Sequence, residues 1–78
     1  MKKYMVVERF KDACWDDAYK RFHMEGRLLP DGLNYLNSWA NQERSICYQL
    51  METGSPELFD VWFSRWDDLV DFEVVPVD

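Results

Sequence analysis

The sequence predicts an α+β domain, a four-stranded antiparallel sheet with two helices on one of its faces. Three observations predict it. Four short runs are rich in alternating β-branched and aromatic residues, two intervening stretches carry apolar residues at helical spacing, and the six follow one another as β-α-β-β-α-β. Two right-handed β-α-β units split in this way gather both helices on one side and leave the other side of the sheet bare.

The first strand is predicted over Tyr4 to Phe10, YMVVERF. Tyr4, Val6, Glu8 and Phe10 share one face, and Met5, Val7 and Arg9 the other. A helix follows from Asp12 or Ala13 to Leu28, with Asp12 as N-cap and Asp16 and Asp17 in the early turns, where negative charge suits the helix dipole. Cys14, Ala18 and Phe22, widened by Trp15 and Tyr19, form its apolar stripe. Pro30 stops the helix by Leu29, and Leu28 to Gly32 make a turn. Leu33 to Ala40 is the second strand, with Leu33, Tyr35, Asn37 and Trp39 facing one way. Asn41 to Arg44 is a polar hairpin turn, and Ile46 to Glu52 returns with Ile46, Tyr48 and Leu50 opposed to Cys47, Gln49 and Met51. Ser55 as N-cap and Pro56 at the first helical position open the second helix, whose stripe is Phe59, Trp62, Trp66 and Leu69. A last strand runs from Val70 to about Val75, and Pro76, which cannot donate to a ladder, puts this end at an edge or outside the sheet.

Length and composition bound the function. Seventy-eight residues make a single domain, 1–78, yet 47% are hydrophobic and 17% aromatic. So much apolar surface fills a dense core or covers a partner or ligand. The simplest cover for the bare sheet face is a second copy, sheet against sheet across a twofold axis. A net charge of −6 with scattered cations argues against nucleic acid and anionic membranes. The apolar run after Lys2 and Lys3 is too short for a signal peptide and no stretch is long enough to span a bilayer, so the expected location is cytoplasmic. Cys14 and Cys47 are expected as free thiols.

The stretches MVVERFK, YKRF followed by GRLLPDGL, SWANQE, CYQLMET and WFSRWDDLVDFEVVPV are spread along the chain from Met5 to Val77. In these the sequence resembles an uncharacterised family of short bacterial proteins, known only as a domain of unknown function. That family is similar in turn to the ferredoxin-like, dimeric α+β barrel group. The group holds cofactor-free monooxygenases of small aromatic compounds, isomerase-like proteins, haem-degrading enzymes and members without a known reaction. The resemblance implies a fold and a dimer but no reaction, since the fold hosts many functions.

Candidate chemistry is sparse. His23 is the single histidine, with Arg27 one turn later, and it forms no metal-binding spacing with other ligands. His23, Arg27 and Tyr48 are the candidates to give a proton or a hydrogen bond. Trp62 and Trp66, one helical turn apart, either pack the core or wall a cavity together with Trp39 and the ring of Tyr35 or Tyr48. Cys47 lacks a neighbouring base and is a poor nucleophile. Glu8, Arg9, Glu43 and Arg44 are read as solvated or interface charges, and Glu73 as an edge-protecting charge. Neither a metal nor a cofactor is expected. The reading is a homodimeric small-molecule-binding or accessory module with an aromatic-lined pocket. The alternatives are a cofactor-independent monooxygenase-like or isomerase-like enzyme acting on a small aromatic substrate, and a structural dimer without a pocket.

Overall fold

Alternating apolar residues produce four strands, β1 (Lys2–Phe10), β2 (Leu33–Ala40), β3 (Ile46–Thr53) and β4 (Val70–Val77), in a computed structural model that describes residues 1–77. They pair antiparallel in the order β2-β3-β1-β4. The helices α1 (Trp15–Glu25) and α2 (Leu58–Phe63) both pack on one face, giving the ferredoxin-like arrangement. Pro76 lies inside the ladder opposite Tyr4, which is tolerated because β4 is an edge strand.

Local physics shortens both helices relative to their sequence pattern. Asp12 is not the N-cap of α1. It sits in the left-handed region at φ 44° within a 3-10 turn over Lys11–Ala13, and Cys14 takes the capping position with no side-chain hydrogen bond. At the other end Gly26, at φ 72°, donates its N–H to the Phe22 carbonyl and stops the helix before Leu28. Nor does the Ser55 side chain cap α2. The Ser55 N–H is itself held by Thr53 Oγ1, and Leu58, Phe59 and Asp60 enter the helix through bonds to carbonyls three residues back. Arg65, Trp66 and Leu69 leave it through bonds of the same short type. The apolar stripe therefore continues to Leu69, while regular α-helix covers only Leu58–Phe63.

Register assigns the faces. Tyr4, Val6, Glu8 and Phe10 of β1 look toward the helices beside Thr53, Met51, Gln49 and Cys47 of β3. A bulge between Tyr35 and Asn37 adds a residue to β2, so that Ser38 pairs with Gln49 and Trp39 with Tyr48. The expectation that Trp39 shares a face with Tyr35 is thereby corrected: Ser38 and Ala40 turn inward, and Trp39 turns to the helix-free face. The core lies around Tyr4, Val6, Leu33, Met51, Phe59 and Trp62. On the other face Met5, Val7 and Leu50 sit beneath the half-exposed rings of Trp39 and Tyr48. Among the described residues no helix is long and apolar enough to cross a membrane.

Candidate functional site

α1 stands off the sheet, because among its described side chains only Ala18 is buried while its larger rings lie to the side. The gap is a cavity of about 290 Å³, at the lower edge of ligand-pocket sizes (about 300–1,000 Å³). Trp15, Tyr19 and Phe22 of α1 wall one side, and Trp62 and Trp66 the other. The floor is polar: Glu8 from β1 with Cys47 and Gln49 from β3. Arg27 and the Ser38–Ala40 stretch complete the lining.

The Arg27 region is pinned by its own backbone. Gly26 at φ 72° and Leu28 at φ 60° turn the chain so that the Arg27 carbonyl accepts both indole N–H groups, from Trp62 and Trp66, each at 2.9 Å. Buried indoles need such an acceptor, and one carbonyl here orients two cavity walls. The Arg27 guanidinium lies 3.6 Å from the centre of the Tyr35 ring and 5.0 Å from that of Phe22, a stacked cation on an aromatic shelf.

Glu8 is the residue that sequence reasoning missed. It was expected as a solvated or interface charge; instead it is 7% exposed, because it alternates with Val6 on the helix-facing side. The signal was present in that alternation, which already placed the carboxylate among Tyr4, Val6 and Phe10. Gln49 Nε2 donates to Glu8 Oε2 at 2.8 Å. Burial raises the Glu8 pKa to about 7, against the opposing pull of that hydrogen bond, the Arg27 charge and the Cys47 thiol. Burial, and then the negative charge of Glu8, push the Cys47 thiol up to about 12, so it is protonated at neutral pH and no nucleophile. Gln49 Oε1 is buried without a hydrogen-bond partner.

The other sequence candidates are spread out. Arg27, Trp62 and Trp66 border the cavity. Trp39 borders it through its strand, while the pleat directs its indole to the far face. Tyr35 supports Arg27 and hydrogen-bonds Ser38 Oγ at 2.7 Å. Tyr48 pairs with Val7 and Trp39 and points away from the cavity. His23 is exposed in a separate shallow hollow on α1, edge-on to the Tyr19 ring at 4.6 Å. Among the described residues no cluster of histidine, cysteine and carboxylate side chains is arranged to hold a metal ion.

Residues 2–77 match the family described as a domain of unknown function, DUF3303. The chain belongs to this family. Curated proteins give no match. The cavity of this DUF3303 member holds a specific set of groups: aromatic walls, one stacked cation, one carboxyl that titrates near neutrality, and one idle amide acceptor.

Proposed function

We propose that the protein is a homodimeric small-molecule-binding module whose cavity takes a flat, mostly apolar molecule carrying a hydrogen-bond donor. The observation that carries this reading is the buried Gln49 Oε1, which lacks a partner beside the Glu8 carboxyl on the floor of an aromatic-walled hollow. Leaving a buried acceptor unpaired costs about 1–3 kcal/mol, and a bound donor recovers it. Indole and phenyl walls suit a planar ring. The homodimer rests on the helix-free face, where Trp39 is 49% and Tyr48 36% exposed above Met5, Val7 and Leu50. Two such sheets cover each other when packed face to face.

Titrations with 2-naphthol and naphthalene, followed by tryptophan fluorescence, test the pocket. The hydroxyl compound is expected to bind about tenfold or more tightly, the worth of one satisfied buried acceptor. Equal affinities, or no quenching by either, contradict the reading. Light scattering on the eluting protein tests the dimer: wild type runs at twice the chain mass and Leu50→Glu, on the outer face, runs as a monomer. A wild-type monomer at micromolar concentration removes the dimer from the proposal.

A further inference from the structure

We infer that Glu8 is a proton-transfer base and that the cavity is shaped for an aryl-substituted, enolisable carboxylate of the arylpyruvate kind. The inference rests on the ligand-pocket reading above and adds a substrate class and a reaction to it; the enol form of such a molecule carries the hydroxyl donor that Gln49 Oε1 lacks. Three groups lining one cavity carry it. The Glu8 carboxylate is fixed through Oε2 by Gln49 Nε2, which leaves the other oxygen out of that bond. The Arg27 guanidinium is held flat on Tyr35 and forms no ion pair or side-chain hydrogen bond with a carboxylate among the described residues, so it is placed to take the anionic end of a ligand. The indoles of Trp62 and Trp66, locked by their shared acceptor, supply a rigid slot for the ring.

The step balances without an oxidant. The Glu8 carboxylate removes a proton from the carbon between the ring and the ketone. The C–H electron pair becomes the carbon–carbon double bond, and the carbonyl π pair moves onto oxygen. That oxyanion takes a proton back from the Glu8 carboxyl, giving the enol and regenerating the carboxylate. The net change is a 1,3-proton shift. Cys47, held as a thiol, is not a competing nucleophile.

A base must be ionised to act, and Glu8 titrates at about 7. The groups facing it are few. β3 brings Cys47 and Gln49, the link after α1 brings Arg27, and α1 brings Tyr19. The α2 side contributes Trp62 and Trp66 and β4 contributes Val70, none of which titrates. The rate is therefore expected to rise with pH through about 7 and then level.

The test uses the whole chain with phenylpyruvate in D₂O, following loss of the benzylic proton signal by NMR and binding by tryptophan fluorescence. Wild type is expected to accelerate exchange over buffer. Glu8→Gln, nearly isosteric, should bind within about threefold and lose about 100-fold or more of the exchange rate, the usual share of a positioned base. Glu8→Asp keeps the carboxyl and should restore part of that loss, which separates lost chemistry from lost folding. Arg27→Gln should weaken binding about tenfold or more, the worth of a charged hydrogen bond. The inference is overturned if wild type binds phenylpyruvate without exchange above buffer, or if Glu8→Gln exchanges as fast as wild type. A protein that binds 2-naphthol but not phenylpyruvate also overturns it and leaves the pocket reading standing.

Discussion

The two ends of the helix-facing side of the sheet differ more than their shared strands would suggest. At one end Tyr4, Leu33, Met51 and Phe59 form a solid core, with the Tyr4 and Phe59 rings edge to face at 5.2 Å. Its polar member is fully engaged: Thr53 Oγ1 donates to the Gly32 carbonyl at 2.7 Å and accepts the Ser55 N–H at 3.0 Å. Four residues along β1, about 13 Å away, Glu8 replaces the apolar side chain, Gln49 keeps an idle oxygen, and the space above is hollow. The helices make the difference. α2 sends Phe59 and Trp62 into the sheet, whereas α1 meets it through Ala18 and holds its rings aside as walls. One end is built for stability and the other gives some of it up to hold polar groups away from water.

The largest effect expected from this contrast is at Met51, which is fully buried in the solid end. Met51→Ala should destabilise by about 2–5 kcal/mol, the range for emptying a packed site. That is a large share of the roughly 4–12 kcal/mol expected of a chain this length. Cys47→Ala, two positions from Gln49 on the hollow side, should cost about 1 kcal/mol or less, because its side chain already borders open space. Urea unfolding of both variants measures the comparison directly. Equal losses would mean that the two ends are packed alike.

A second effect sharpens the comparison through pH. The folded Glu8 pKa is about 7 against an ordinary value of 4.5, so between these values the folded state holds a proton that the unfolded state has released. Stability from this group is intact below about 4.5, falls as pH rises, and has lost about 3 kcal/mol once pH passes 7. Glu8→Gln should remove this slope and raise the melting temperature at pH 8 more than at pH 5. Asp68 works in the opposite sense and in another window: the Arg21 guanidinium, at 2.7 Å, holds its carboxyl below the ordinary range, so its contribution fades only as pH falls through the acid region. The smallest effect is expected at His23, exposed and outside the cavity. His23→Ala should leave stability within about 0.5 kcal/mol and 2-naphthol affinity unchanged.

Much of the fold was legible because its signals are local. Period-two alternation found β2 at its observed bounds and β3 to within a residue, whereas Pro30 placed the end of α1 three residues too late, past the Gly26 turn that stops it at Glu25. What escaped depended on tertiary context. The β2 bulge reverses the parity of everything after Tyr35, and nothing in LNYLNSWA announces the extra residue. The capping prospects of Asp12 and Ser55 gave way to 3-10 turns at both helix entries. Of the site, the indoles were visible as a stripe. Glu8 stood on the apolar face of β1 in the alternation, but a charge at a strand's end is usually solvated, so its burial on the cavity floor went unread.

Whether the hollow end keeps the Glu8 carboxyl out of water is read by a carbon-detected NMR titration of that side chain. A midpoint near 7 is expected, coupled to a thermal stability that declines over the same pH range in wild type and not in Glu8→Gln. A midpoint in the ordinary carboxylate range, about 4.3, would place Glu8 in solvent and remove the polar floor from the cavity.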